Sequence, residues 1–223
     1  MSHWFFRQFI QNQIFQNKEK KFRAGDMFLS ILMVCLGGLL LLSSLGFGET
    51  FSRDQDRAMI NKRNFSPGVV YWEEQIEEWA ETYNLDPILI ATVMQIESCG
   101  DPQALSPANA HGLFQVMPYH FDPTENMLDP QINAQRGLTY LSESFEKANG
   151  DIERTLAGYN GGHGQITRAA NKWPEETRHY VYWGLRIYQE TVSGRNQGET
   201  LEDWLAAGGW RLCQQAEKNL GLE

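Results

Sequence analysis

Apolar residues along this chain fall into one unbroken block followed by a series of helical stripes. The block is residues 27–47, MFLSILMVCLGGLLLLSSLGF, which holds no charged residue. About 21 helical residues span roughly 30 Å, the thickness of a bilayer's hydrocarbon core, so a single transmembrane helix is predicted there. A cleaved signal peptide is the rival reading, but the leading region is unusually long and the block exceeds a usual signal core. A lipidated Cys35 is disfavoured, because Leu32-Met33-Val34 lacks the small residue expected ahead of such a cysteine. Residues 48–70 mix Gly, Ser, Arg, Asp and Asn without a period and read as a linker.

From Tyr71 the stripes begin. Trp72, Ile76, Trp79, Ala80 and Tyr83 share one helical face. A second helix is predicted up to Glu97, with Asp86 as N-cap, Pro87 in its first turn and Gly100 beyond its end. Residues 101–128 are rich in Pro, Asn, Asp and Gly and read as loops around a short helix after Gly112. Further helices are expected over 130–149, with Ile132, Leu138, Leu141 and Phe145 inward, and over 152–159 and 175–191. A last segment carries Leu201, Trp204, Leu205 and Leu212 on one face; packing back on the domain and binding a partner are both open for it. No run alternates as a strand would, so the expectation is all-α: a helical domain over 71–190 and a C-terminal helical extension over 191–223.

One carboxylate stands out against this pattern. Glu97 follows Ile90, Val93 and Met94 at helical spacing and lies on the apolar stripe, in the last turn of its helix. Burial and the unpaired carbonyls of a helix end both disfavour the anion, so its pKa is expected to rise. A Glu that holds its proton near neutrality suits a general acid.

The residues from Glu97 to Pro118 spell E-S-x3-P-x-A-x-S-x3-A-x-G-L-F-Q-V-M-P. This resembles, without a gap, the catalytic signature of the soluble lytic transglycosylases, lysozyme-like enzymes that cut bacterial peptidoglycan. Three further blocks follow in the family's order. Asn133 to Leu141 is similar to its N-x3-G-x2-Y-L helix, Leu156 to Gly164 to its A-Y-N-x-G segment, and Glu176 to Val181 to its closing E-T-x2-Y-V segment.

The resemblance implies a lysozyme-like helical domain of the goose type (SLT), and cleavage of the MurNAc-GlcNAc β-1,4 bond with formation of 1,6-anhydro-MurNAc. Glu97 would be the single general acid and base, with Gln115, Ser106, Met117, Tyr159, Asn160 and Tyr180 lining the sugar groove. Glycoside hydrolysis usually needs two carboxylates. Asp101, Asp122, Glu125 and Asp129 lie in predicted loops as solvated or capping residues, which favours the one-carboxylate lyase route. A lysozyme-type hydrolase and a non-catalytic cell-wall-binding or assembly protein of the same fold are the alternatives. Departures from the family's pattern occur at Phe114, expected to reshape the groove wall, and at Gly158, Gly161 and His163, expected to loosen the turn near the cleft.

Charge narrows the partners. Residues 1–26 carry a balance of +3 and the rest of the chain −12. Nucleic acid, which demands a basic face, is excluded as a partner. The basic cluster of Lys18, Lys20, Lys21 and Arg23 ahead of the block makes 1–26 a cytoplasmic N-terminal segment by the positive-inside rule. The domain then faces the periplasm from the inner membrane, where its expected partners are peptidoglycan glycan strands and an unspecified envelope assembly. The five histidines show no metal-ligand spacing, so no metal or cofactor is implied. Cys99 and Cys213 fall on the exported side, where a disulfide is permitted; two unpaired small hydrophobes are the plain alternative.

Overall fold

The computed structural model describes residues 64–194 and 198–223. The transmembrane helix expected at 27–47 lies outside them, as does most of the expected linker. No helix among the described residues is long and apolar enough to cross a membrane.

The described chain is helical. Its elements are α1 (Pro67–Val70), α2 (Glu73–Tyr83), α3 (Pro87–Glu97), α4 (Pro130–Lys147), α5 (Ile152–Gly161), α6 (Glu175–Val192), α7 (Glu199–Trp204) and α8 (Trp210–Leu220). Helix α3 starts as its sequence dictates, with Pro87 in its first turn and Asp86 Oδ1 accepting from the Ile88 amide at 2.8 Å. The other oxygen, Asp86 Oδ2, accepts from the Tyr188 hydroxyl at 2.6 Å and so ties the start of α3 to α6.

A one-sided apolar stripe was the expectation for α3, yet every residue from Ile88 to Glu97 is buried. A helix apolar on all sides belongs inside a fold, and α1, α2 and α6 pack around this one. Its two polar interior side chains are satisfied locally. Thr92 donates to Ile88 O, and Gln95 takes the Ser66 amide at 2.8 Å while donating towards the sulfurs of Cys99 and Cys213. Around α3, helices α4, α5 and α6 pack in sequence and close the core with Leu138, Leu141, Leu156 and Ile187.

The linker expected up to residue 70 ends sooner. Asn64, Phe65, Ser66 and Val69 are buried, and α1 packs on α3 and α8. The crossing is too tight for a side chain: a Cβ on Gly68 would stand 2.3 Å from the Cys99 carbonyl oxygen, and one on Gly100 2.2 Å from the Gly68 carbonyl oxygen. Gly100 also has φ of +84°, a conformation that favours glycine. Glycine at both positions lets the two backbones touch beside the end of α3.

The 101–128 segment also differs in detail. The short helix expected after Gly112 is absent; turns run there instead, held by isolated antiparallel bridges pairing His111 with Leu105 and with Val116. The helical turn comes later, as a 3-10 turn over Pro118–His120. The C-terminal extension packs back on the domain. Trp204, Cys213 and Ala216 are buried, and a break at Gly208, with φ of +134°, separates α7 from α8. Cys99 and Cys213 are joined in a disulfide across 114 residues of sequence.

Closing so long a loop restricts the unfolded chain. Replacing Cys213 with Ala is expected to lower unfolding free energy by about 2–4 kcal/mol, read by urea denaturation against the oxidised wild type. An unchanged midpoint would show that packing alone holds α8.

Candidate active site

Glu97 is the last residue of α3, and only 6% of its surface is exposed. Burial pushes its pKa up to about 8, the Glu176 carboxylate adds to the rise, and the Tyr180 hydroxyl pulls against it. Tyr180 comes from α6 and is itself buried. Its hydroxyl stands near enough to act on Glu97 yet closes no hydrogen bond of standard geometry. Contacts of this kind commonly tighten only when substrate is bound. A second hydroxyl, that of Tyr159 on α5, feels the Glu97 charge, but its proton is spent on the Phe114 carbonyl at 2.8 Å.

That carbonyl belongs to the turn that carries Gln115. Three side chains from separate elements hold it. Ser98, directly after Glu97, donates to Leu113 O at 2.7 Å; Asn133 on α4 accepts from the Phe114 amide at 2.9 Å and donates to His111 O and Met127 O; Tyr159 is the third side chain, through its bond to Phe114 O. Gly112, with φ of +71°, has no room for a side chain, since a Cβ there would lie 2.6 Å from Asn133 Nδ2. Gln115 is itself in the left-handed region at φ 47°. Its amide nitrogen donates to Ala104 O and Gly112 O, so what remains for a ligand is its carbonyl oxygen, an acceptor.

A cavity of about 470 Å³ opens at Glu97, with Ser106 and Gln115 also on its wall. Ser106 uses its hydroxyl to accept from the Ala110 amide at 2.9 Å. Met117, Tyr159, Asn160 and Tyr180 are not on the wall of this cavity. Met117 is half-buried ahead of the 3-10 turn, and Asn160 is buried on α5.

Sequence reasoning missed the other side of the cavity. Helix α8 lines it with Arg211, Leu212, Gln215 and Asn219. Asp101 lines it too and is 1% exposed, so it is not the solvated residue expected. It does cap a turn, accepting from the Gln103 amide, while both its oxygens accept from Asn219 Nδ2. Burial raises its pKa. Asp122 and Glu125 pair with Arg136 near the surface, and Asp129 caps α4. Among the described residues no three His, Cys, Asp or Glu side chains converge as metal ligands do.

Two of the expected departures carry a different meaning. Phe114 is wholly buried against Trp79 and Gly137, in the core rather than on the groove wall. Gly158 and Gly161 do not loosen the turn. Cβ atoms there would lie 2.6 Å from Ile166 Cγ1 and 2.7 Å from Gln165 Cγ, so these are close crossings that exclude a side chain. His163 is braced as well, bonded to Ser144 and stacked on Tyr140 at 4.4 Å.

The raised Glu97 pKa has a stability consequence. Between about pH 4.5 and 8 the folded protein holds a proton that the unfolded chain releases. Stability must therefore fall as pH rises through that window. Glu97→Gln cannot titrate, so its melting temperature relative to wild type is expected to climb from pH 5 to pH 8. A constant difference across that range would mean that Glu97 titrates as an exposed acid.

Comparison with known proteins places the described domain beside peptidoglycan-cleaving relatives by sequence. Residues 74–180 match the family described as Transglycosylase SLT domain. The Transglycosylase of Enterobacteria phage PRD1 is 37% identical over 115 residues, 51% of this chain and 41% of that protein. Membrane-bound lytic murein transglycosylase E of Buchnera aphidicola is 24% identical over 75% of this chain and 86% of that one. Among solved structures, the lytic transglycosylase Slt of Pseudomonas aeruginosa overlays with a TM-score of 0.47 at 22% identity, covering 56% of this chain and 24% of that one. The helix ending in Glu97, the turn carrying Gln115 and the segment closing on Tyr180 all fall inside the matched span, so residues 74–180 form a domain similar to the transglycosylase SLT domain family.

Proposed function

We propose that this protein is a peptidoglycan lytic transglycosylase with Glu97 as its single general acid and base. The observation that carries the reading is a buried carboxyl, with a pKa of about 8, opening on a cavity. Below that pH Glu97 holds its proton and donates it to the glycosidic oxygen between MurNAc and GlcNAc, and the bond to the MurNAc anomeric carbon breaks. The carboxylate left behind takes the proton of the MurNAc C6 hydroxyl as that oxygen bonds to the same anomeric carbon. Glu97 ends protonated again, no water is consumed, and the product is 1,6-anhydro-MurNAc. The Tyr180 hydroxyl is placed to stabilise the transient carboxylate, which otherwise stands buried at the negative end of α3. Gln115, through its carbonyl oxygen, and Ser106 hold sugar hydroxyl and amide groups at the cavity wall. In this reading Met117, Tyr159 and Asn160 extend or support the groove.

A second reading rests on Asp101, which lines the same cavity. With a second carboxyl to activate water, the enzyme would hydrolyse the same bond as a lysozyme does. The commitment of both Asp101 oxygens to Asn219 favours a bracing role instead. A non-catalytic wall-binding protein would have no need of a carboxyl held at this pKa.

The rest of the proposal concerns place. The uncharged run at 27–47 anchors the chain in the inner membrane with the domain on the periplasmic side, and likeness to a protein named as membrane-bound supports this. Terminal sequencing of protein from native envelopes is expected to find a start ahead of residue 27. A start beyond residue 40 would overturn the anchor.

For the chemistry, Glu97→Gln is expected to lower cleavage of purified sacculi by about 10²–10⁴-fold with the fold intact. Activity within a few fold of wild type would sink the assignment. The wild-type single-turnover rate should fall as pH rises through about 8, because the acid must start protonated. Mass spectrometry should find ends lighter by one water, and Asp101→Asn should leave that product unchanged. Reducing ends that vanish in Asp101→Asn would establish the hydrolase instead.

A further inference from the structure

Helix α8 lies outside the span matched by the family, yet it walls the same cavity as Glu97. Two links hold it there. The disulfide joins Cys213 to Cys99, two residues past Glu97, and Asn219 near the other end of α8 bonds to Asp101. The backbone of α8 is therefore tied at two points to the segment that follows Glu97.

Those side chains are not equally committed. Asn219 is used up, since its Nδ2 serves Asp101 and its Oδ1 accepts from Gln215 Nε2 at 2.9 Å. Asp101 is engaged in turn by Asn219 and the Gln103 amide. Arg211 differs. Among the described residues it makes no ion pair, and its guanidinium rests against the Trp210 ring, 5.4 Å from the centroid. In a chain of net charge −9, an arginine that faces the cavity beside Glu97 and Asp101 and pairs with neither is not explained by the fold.

Resting on the function proposed above, we infer that Arg211 takes a carboxylate of the muramyl side chain and so makes α8 a specificity element of the cleft. A guanidinium presents parallel N–H groups that match a carboxylate bidentately, and the neighbouring Trp210 ring limits the orientations it samples. Gln215 Oε1 stands on the same wall as an acceptor for an amide N–H beside that carboxylate. Two sources of the group exist on peptidoglycan: the free carboxylates of the stem peptide, and the lactyl carboxylate exposed when the peptide is removed. Arg211 touches no reacting atom in this account; it binds and selects.

The test measures binding with the full chain carrying Glu97→Gln, so that turnover is not needed. The probes are solubilised glycan strands in three forms: native, with carboxylates converted to amides by carbodiimide and ammonia, and stripped of stem peptides. Native strands should bind about tenfold or more tightly than amidated ones. Arg211→Gln should erase that preference without weakening binding to amidated strands, and Arg211→Lys should keep part of it. Stripped strands that bind in an Arg211-dependent way assign the site to the lactyl group; stripped strands that bind as amidated ones do assign it to the stem peptide. Equal binding of native and amidated strands, or equal losses on both in Arg211→Gln, overturns the inference. Wild-type cleavage of native strands, assayed alongside, judges the enzymatic reading separately: failure to cleave with the binding preference intact would sink that reading and leave the recognition site standing.

Discussion

The structure turns on placing an ionisable carboxyl at the end of a helix that has no solvent-facing side. Helix α3 is buried from Ile88 to Glu97, so the neighbours of its last turn decide what Glu97 is. A carboxylate there is largely withdrawn from solvent and sits at the negative end of its own helix, and both effects favour the proton. The cost is borne by the packing around it: the segment from Asn64, the close passage of Gly68 past Gly100, and α6 with Tyr180. Loosening any of these would admit water and return Glu97 towards an ordinary acid.

Seen from Glu97, the four separate motif blocks become one assembly. Ser98, Asn133 and Tyr159 each contribute a hydrogen bond to the same turn, which carries Gln115. Gly137 belongs to this assembly as well, because a side chain there would collide with Phe114. Residues assigned to a sugar groove by resemblance alone thus divide into two groups. Ser106 and Gln115 reach the cavity, whereas Tyr159 braces the backbone that carries one of them. Bracing of this kind matters chemically, since a turn with Gln115 in the left-handed region holds its shape only where the surroundings over-determine it.

Beyond the family's span, the C-terminal extension follows the same logic. A short helix such as α8 gains little from its own propensity. Here it is secured by the disulfide, by Asn219 on Asp101 and by Ala216 packing beside Gly68. Anchoring it to the segment that follows Glu97 gives this chain a second cavity wall outside the matched span.

Much of this was legible along the chain. Caps and apolar periods set the start and end of α3 to α6 to within about two residues, because Asp-Pro entries and helical stripes are local signals. The direction of the Glu97 shift was also expected from its stripe and its place in the last turn, although the burial that produces it is supplied by distant segments. What the sequence could not express was anything that depends on segments distant in the chain meeting in space. Residues 64–70 look like linker because a single helical turn shows no period, and only α3 and α8 make it core. Asp101 looks like a loop acid until Asn219, 118 residues away, covers it. Phe114 passes for groove wall until Trp79 and Gly137 close over it. Composition and period thus determined the all-α class and the position of the acid. Tertiary structure alone decided which side chains share its cavity, because local propensity is a property of neighbours in sequence, whereas burial and hydrogen-bond pairing are properties of neighbours in space.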